Sequence, residues 1–234
     1  MRPARGMSAS ATRPQVLQTE SGEFPLHESR LGLAGHEWTI LHTGVVLTHD
    51  DEQHFLREFR DRLPYGVALW PAAIALAHDV AGRADALRGA RVLELGAGTG
   101  LPGIVAASLG ARVVQTDRHE MAMSVCRHNA ELNGISAIEH RLADWTAWDD
   151  AERYEWIIGS DVLYGESMHP HLRHIFETNL APGGRILLSD PFRAPGLRLL
   201  ESLEAAGWRI SLAKWNLGED TSPRPIGVFE MEAG

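Results

Sequence analysis

The chain has 234 residues, enough for one domain with a packed core, and its hydrophobic content of 44% and charged content of 23% are ordinary for a globular protein. The formal net charge of −9 argues against a protein that wraps a nucleic acid, because that binding needs clustered Lys and Arg. A single cysteine, Cys126, excludes a disulfide within the chain and favours a cytoplasmic location. No run of residues is long and apolar enough to span a bilayer.

The first part of the chain predicts a β/α extension. Residues 1–30 are expected to be flexible, since the segment starts rich in Ser, Thr, Pro and Arg. The apolar, β-branched run over 38–47 predicts a strand or hairpin, and the acidic start at residue 50 predicts a helix over 50–62. Pro71 suits the first turn of a helix over 72–80. We therefore expect a single domain over 31–234, in which an extension (31–80) precedes the core (88–234).

From residue 91 onward the pattern becomes regular. Strands are predicted at 91–95, 112–116, 138–142, 156–159, 185–189, 208–213 and 226–231, helices at 101–109, 120–133, 171–179 and 196–206, and a turn at 181–184. This alternation predicts an α/β fold: a Rossmann-like, seven-stranded, mostly parallel sheet with helices on both faces. Ligands bind such sheets beyond the carboxyl ends of the strands, so the site is expected in the loops that follow Leu95, Thr116, Leu142 and Gly159.

A glycine loop follows the first core strand and reads Glu94-Leu95-Gly96-Ala97-Gly98-Thr99-Gly100. The dinucleotide fingerprint needs a glycine where Leu101 stands, and the loop lacks the Lys-Ser/Thr of a phosphate loop. Asp117 ends the next strand, where a carboxylate can accept hydrogen bonds from two ribose hydroxyls. A cofactor with a ribose and no phosphate fits both features, and S-adenosylmethionine is such a molecule. A plain structural turn followed by a solvated acid is the alternative.

The glycine loop together with Asp117 resembles motif I and the ribose acid of class I, seven-β-strand methyltransferases. Three further segments narrow the resemblance: Leu-Trp-Pro at 69–71, Leu-Ala-Asp-Trp at 142–145, and Gly-Ser-Asp-Val-Leu-Tyr at 159–164. Together they resemble the protein lysine methyltransferases that carry a D-x-x-Y signature, a group that includes the eukaryotic methyltransferase-like proteins and bacterial relatives. The resemblance covers roughly residues 65–188.

The resemblance implies a set of cofactor-binding residues along these segments: Trp70, Glu94, Gly96, Ala97, Gly98, Asp117, Asp144, Trp145 and Ser160. Within that set it implies that Asp117 holds the ribose and that the glycine loop contacts the methionine part. It implies that Trp145 packs near the adenine, with Asp144 as a partner for the adenine amino group. Glu94 is expected to contact the methionine amino group through water. On the residues alone, Trp70 and Trp145 are also compatible with core aromatics.

Asp161 and Tyr164 are implied to be catalytic and to face the methyl acceptor. Our hypothesis is that Asp161 orients the acceptor amine and that Tyr164 forms part of its channel. The residues alone leave open that Asp161 is a helix cap and that Tyr164 packs on the sheet. The later segment Asp-Pro-Phe-Arg at 190–193 differs from the double-proline motif of DNA amino-methyltransferases and is interpreted as a loop that could contribute to the acceptor pocket.

The resemblance implies an S-adenosylmethionine-dependent methyltransferase that methylates a protein lysine by direct in-line transfer and releases S-adenosylhomocysteine. The expected partner is a protein, with no membrane or nucleic acid. A small-molecule methyltransferase with residues 1–62 as a lid, a non-catalytic cofactor-binding scaffold, and a nicotinamide-dependent oxidoreductase remain alternatives, the last disfavoured by Leu101. No metal is expected, because His169, His171 and His174 have no cysteine near them to complete a zinc site.

Overall fold

The structure, a computed structural model, describes residues 15–19, 22–46, 51, 54, 65–217 and 224–234. The helix predicted over 50–62 lies outside these residues, apart from Asp51 and His54. The first 14 residues of the segment expected to be flexible also lie outside them.

A small antiparallel sheet precedes the main fold. Its strands, in order across the sheet, are β1 (Gln15–Thr19), β2 (Gly22–Leu33) and β3 (His36–His42). Ala34 and Gly35 join β2 to β3 with φ angles of 51° and 81°, the left-handed pair that closes a two-residue hairpin. Residues 1–30 were expected to be flexible, but the structure has β-strands over 15–19 and 22–30 of that segment. The missed signal is the alternation in β2, which buries Leu31 and Leu33 on one face.

In the described part of the chain, seven strands form the central sheet. They are β4 (Arg91–Leu95), β5 (Arg112–Asp117), β6 (Ile138–Leu142), β7 (Tyr154–Ser160), β8 (Leu180–Asp190), β9 (Arg209–Leu217) and β10 (Arg224–Glu232). Their order is β6-β5-β4-β7-β8-β10-β9; the first five are parallel, and β10 runs antiparallel to both neighbours. The predicted Rossmann-like, mostly parallel sheet is confirmed. Because the chain direction across the sheet reverses between β4 and β7, a ligand crevice is expected at their carboxyl ends.

Helices cover both faces of this sheet. They are α1 (Pro71–Ala81), α2 (Ala84–Leu87), α3 (Leu101–Ser108), α4 (Glu120–Leu132), α5 (His169–Asn179) and α6 (Ala194–Ala205). Neighbouring residues of β4 belong to different cores: Val92 packs with α1, α3 and the small sheet, whereas Leu93 packs with α5 and α6. Burial on both faces explains why the core strands read as continuous apolar runs. None of the described helices is long and apolar enough to cross a membrane.

Two predicted elements end differently in the structure. The strand predicted over 38–47 is the shorter β3, followed by a single bridge between Val45 and Leu69. The turn predicted over 181–184 lies inside β8 at a shift of its register against β7, where Gly183 takes a φ of 73°. The glycine signal therefore marks an irregularity within a strand, as glycine commonly does, and not the strand's beginning.

Two asparagines attach the small sheet to the core, Asn129 in α4 and Asn133 directly after it. Asn129 is fully buried; its Oδ1 accepts the Leu41 N–H at 2.7 Å, and its Nδ2 donates to the Leu41 and Thr99 carbonyls at 3.0 and 2.9 Å. Asn133 makes the same pair of bonds with Thr39. The two amides thus satisfy an edge of β3 that has no neighbouring strand. Through its bond to the Thr99 carbonyl, Asn129 also connects that edge to the glycine loop.

Candidate active site

A cavity of about 500 Å³ opens at the carboxyl ends of β4, β5, β6 and β7, where the strand order reverses. Its volume lies within the range of small-molecule sites. The predicted site residues on its wall are Trp70, Gly96, Ala97, Gly98, Asp117, Asp144, Trp145, Ser160, Asp161 and Tyr164. The fold therefore brings together ten of the eleven residues named from the sequence, and Glu94 is the exception.

The glycine loop forms one wall and has no room for side chains. Gly96 and Gly98 have φ angles of 63° and 57°, which disfavour any other residue. A Cβ on Gly96 would lie 2.9 Å from Val162 Cγ1, and one on Gly98 would lie 2.6 Å from the Gly66 carbonyl oxygen. The second contact shows that a short turn of helix at Tyr65–Val67 lies directly against the loop. The loop thus presents bare backbone to the cavity because both of its sides are packed.

Asp117 is a nearly buried carboxylate on the same wall, with 7% of its surface exposed. The Gly98 N–H donates to its Oδ2 at 3.2 Å, and the His119 N–H donates to its Oδ1 at 2.9 Å. Burial raises the pKa of Asp117, while these two backbone donors lower it. Each oxygen keeps acceptor capacity beyond its one backbone donor, so the carboxylate can receive two neighbouring hydroxyls of a ribose.

Glu94 does not line the cavity and lies behind the glycine loop. Its oxygens accept the Gly103 N–H at 3.2 Å and the Gln115 Nε2 at 2.6 Å, and only 1% of its surface is exposed. Burial raises the pKa of Glu94 to about 8, although the bonds from Gln115 and Gly103 oppose the rise. The sequence analysis expected Glu94 to reach the methionine amino group through water. The structure places it in a buried network instead, because its strand position points it at α3.

Trp145 and Asp144 form the wall that follows β6. Asp144 caps a short turn over Trp145–Ala147: its Oδ1 accepts the Thr146 N–H at 2.9 Å and the Thr146 hydroxyl at 2.8 Å. These two bonds lower the pKa of Asp144. The cap fixes the half-buried Trp145 ring, whose Cζ2 would lie 3.5 Å from a Cβ on Gly96. An aromatic ring therefore lies next to the glycine loop on the cavity wall.

Ser160 is the last residue of β7 and Asp161 follows it, and both line the cavity. Asp161 has a left-handed φ of 57°, rare for a residue other than glycine, and its N–H donates to the Ser189 carbonyl at 2.8 Å. Strained backbone of this kind clusters at functional sites. The Asp161 carboxylate forms an ion pair with Arg193, and its side chain is 11% exposed. The alternative of a helix cap does not apply, because the residue follows a strand and precedes no helix directly.

Three aromatic rings stand at the mouth. The Tyr65 ring centroid lies 6.3 Å from Trp70 and 6.4 Å from Tyr164, and the Trp70 indole N–H donates to the Tyr65 carbonyl at 2.7 Å. Tyr164 is 58% exposed, so it belongs to the rim and does not pack on the sheet. Partial burial, and then the charge of Asp161, raises the pKa of Tyr164 and keeps its phenol neutral. An aromatic rim of this kind suits the apolar stem of a long side chain.

The sequence analysis missed several wall residues, among them Gly66, and it included Arg193 only within a segment that could contribute to the acceptor pocket. No local signal distinguishes Gly66 from a glycine in an ordinary turn, because its role depends on packing against the glycine loop. Arg193 belongs to the Asp-Pro-Phe-Arg segment interpreted as a loop; its contribution depends on the way β8 ends beside β7. Among the described residues, no cluster of three or more His, Cys, Asp or Glu could hold a metal ion.

The residues present fit S-adenosylmethionine. A buried acid for a ribose, bare loop backbone and an aromatic face line one cavity, and the part near Asp161 remains for an acceptor. A family model described as lysine methyltransferase matches residues 50–194. The protein N-lysine methyltransferase METTL21A of Xenopus tropicalis is 35% identical over 147 residues, which cover 60% of this chain and 68% of that protein. The chain belongs to the lysine methyltransferase family.

This lysine methyltransferase family member is similar to proteins with other acceptors as well. The histone-arginine methyltransferase METTL23 of Xenopus laevis is 37% identical over 106 residues, 43% of this chain and 45% of that protein. The solved structure of N-methyltransferase NodS from Bradyrhizobium japonicum, in complex with S-adenosyl-L-homocysteine, has a TM-score of 0.57 and 16% identity, over 76% of this chain and 96% of that one. That likeness supports the fold. The expected S-adenosylmethionine-dependent methyltransferase is confirmed, and the roles of individual residues stay predictions.

Proposed function

We propose that this enzyme transfers a methyl group from S-adenosylmethionine to the side-chain nitrogen of a lysine in a protein substrate. The observation that carries the proposal is one open cavity that combines Asp117 on one wall with Asp161 and Tyr164 on another. A curated relative at 35% identity is named a protein N-lysine methyltransferase, which supports the same acceptor.

The chain's part in cofactor binding is to supply fixed acceptors and flat surfaces. Asp117 accepts the ribose hydroxyls, and the backbone of Gly96–Gly98 lies along the methionine part. Trp145 stacks on the adenine, while Asp144, whose Oδ1 already caps its own turn, offers its other oxygen to the adenine amino group. When bound, S-adenosylmethionine supplies a methyl group on a positively charged sulfur, so no acid is needed to activate the leaving group.

The acceptor's part of the cavity must hold an amine in line with that methyl group. Positioning the two partners supplies much of the rate of such a reaction. Asp161 accepts an N–H of the amine and so fixes its direction, and Tyr65, Trp70 and Tyr164 enclose the alkyl chain. Free lysine has a pKa of about 10.4, so the amine must also lose a proton before it can attack. The aromatic, partly desolvated entrance favours the neutral form.

A protein acceptor is the partner we propose, in the cytoplasm, without a membrane or a nucleic acid. The mouth is open among the described residues, so a lysine on the surface of another protein can reach it. Fluorescence microscopy of a tagged chain in its own cells tests the location, and a signal confined to another compartment contradicts it.

The acceptor is tested by incubating the purified chain with tritiated S-adenosylmethionine and a dialysed protein extract, and by mapping the methylated residue by mass spectrometry. We expect methyl-lysine. Asp161→Asn should lower kcat/KM by about 100-fold or more, as the loss of a group that acts in the transition state does, while its affinity for S-adenosylhomocysteine, whose sulfur carries no charge, stays within about threefold. Asp149→Asn, an exposed carboxylate away from the cavity, is the matched control. Full activity in Asp161→Asn contradicts the assigned role.

Arginine is the second candidate acceptor, because the match to METTL23 reaches 37% identity. The same mass spectra distinguish it, since the modified residue is read directly. A small-molecule acceptor predicts transfer only into the protein-free fraction of the extract, and a non-catalytic scaffold predicts cofactor binding without transfer into either fraction.

A further inference from the structure

The Asp-Pro-Phe-Arg segment after β8 places a cation at the acceptor end of the cavity. Arg193 lines the cavity, and its guanidinium contacts Asp161 with two nitrogens: Nη1 forms the ion pair with Oδ1, and Nη2 lies 3.4 Å from Oδ2. The side chains of Arg193 and Asp161 are only 24% and 11% exposed, so water screens the pair less than it screens a surface pair. The carboxylate that faces the acceptor is therefore neutralised by the chain itself.

The fold holds Arg193 in this place. Its backbone N–H donates to Asp190 Oδ1 at 2.6 Å, and its Nη1 lies 3.8 Å from Asp190 Oδ2, which is buried and has no hydrogen-bond partner among the described residues. Phe192, between the two, takes a left-handed φ of 61° and packs its ring on Phe229. Burial raises the pKa of Asp190 to about 6, with the Arg193 N–H opposing the rise. A strained turn and a second carboxylate thus direct the guanidinium toward Asp161.

The charge on this pair matters for a lysine acceptor. A lone carboxylate beside an amine favours the ammonium form, which has no lone pair for attack on the methyl group. A neighbouring cation has the opposite effect and lowers the pKa of an amine. Arg193 can therefore remove the cost that Asp161 imposes, while the Asp161 oxygens, which can each accept more than one hydrogen bond, still orient the amine.

We propose that Arg193 is a positioning residue that neutralises Asp161, so that the acceptor lysine is oriented without being held in its protonated form. This inference rests on the proposed lysine acceptor. Other charged or titratable groups lie near Asp161 or the neighbouring rim. They are Asp117 and Arg118 at the end of β5, Asp190 at the end of β8, and Tyr65 and Tyr164 at the mouth. Wild type and variant share these groups, so replacing Arg193 by a neutral residue removes one positive charge from the acceptor end of the cavity.

The first test needs no acceptor and uses the two cofactor forms as probes. S-adenosylmethionine and S-adenosylhomocysteine differ by a methyl group and one positive charge, so the ratio of their dissociation constants reports the charge of the cavity. By calorimetry, Arg193→Gln should bind S-adenosylmethionine about threefold or more tighter relative to S-adenosylhomocysteine than the wild type does. Arg198→Gln, which removes the same charge from an exposed pair with Glu166 outside the cavity, should leave the ratio unchanged. An unchanged ratio in a folded Arg193→Gln overturns the proposal.

Two further variants keep this test decisive. Arg193→Met repeats it with an unbranched side chain if the first variant is unstable in thermal denaturation. The double variant Arg193→Gln/Asp161→Asn lacks both charges and should return the ratio to the wild-type value. A double variant that stays as shifted as Arg193→Gln overturns the pairing of these two residues.

The second test is the pH dependence of transfer to poly-L-lysine. In Arg193→Gln we expect the rising limb of kcat/KM to move about one pH unit to the alkaline side, with activity recovering at high pH. A purely structural role predicts the same fractional loss at every pH, and that result overturns the proposal. A wild type that methylates arginine and no lysine instead contradicts the lysine acceptor, and the calorimetric ratio still decides the charge of the cavity.

Discussion

Gly98→Ala tests whether the turn at Tyr65–Val67 is part of the cofactor site. Gly98 has a φ of 57°, and an added Cβ would lie 2.6 Å from the Gly66 carbonyl oxygen and 3.2 Å from the Gly66 Cα. Both contacts are with backbone, so no side chain can rotate away to relieve them. Either the glycine loop or the turn must move, and both line the cavity.

The magnitude follows from two separate costs. The left-handed conformation costs about 1–2 kcal/mol for a residue with a Cβ. Overpacking against fixed backbone adds about 1–3 kcal/mol. The loop can relieve the overpacking by moving, but it then leaves the position that binds the cofactor. If binding must restore that position, the overpacking energy is lost from the affinity for S-adenosylmethionine, which falls by about 10- to 100-fold, since each 1.4 kcal/mol is a factor of ten.

Gly134→Ala is the matched control. Gly134 has a φ of 70°, but an added Cβ would meet nothing within 4 Å. It should therefore carry the conformational cost alone and lower the Tm by about 2–4 °C for each kcal/mol, with unchanged affinity for S-adenosylmethionine. Calorimetric titration and thermal denaturation of both variants measure the two effects. A Gly98→Ala variant that binds S-adenosylmethionine within threefold of the wild type refutes the packing of the turn on the loop.

Two other predictions concern buried polar groups. Asn129→Ala removes a side chain that bonds to the Leu41 N–H and to the Leu41 and Thr99 carbonyls. We therefore expect the free energy of unfolding, measured with urea, to fall by about 2–4 kcal/mol. The control Asn216→Ala replaces an exposed amide and should leave it unchanged, and equal stabilities of the two variants contradict the role of Asn129. Burial raises the pKa of Glu94 from 4.5 to about 8, so folding takes up a proton between these values and stability falls as the pH rises through them. In the wild type the free energy of unfolding should decline by about 2 kcal/mol between pH 6.5 and 8, and in Glu94→Gln it should decline less. Parallel pH profiles of the two proteins would show that Glu94 does not titrate in this range.

Most of the core elements could be predicted because local chemistry defines them. Val92 and Leu93 are both apolar since β4 is buried on both faces, and Gly134 follows α4 with the left-handed φ that ends a helix. The small sheet was harder to predict. Its β2 carries only a weak alternation, and the edge of β3 depends on Asn129, a partner distant in sequence.

The sequence by itself determined the order of strands and helices, the glycine loop and the acid that follows it, because spacing and residue type carry those signals. It also indicated Asp161 and Tyr164 through a resemblance. Only the tertiary structure decided that Glu94 lies behind the loop and that Arg193 faces Asp161. Each of those positions depends on which strand ends lie side by side, and the order of strands across a sheet is not written in any local stretch of residues.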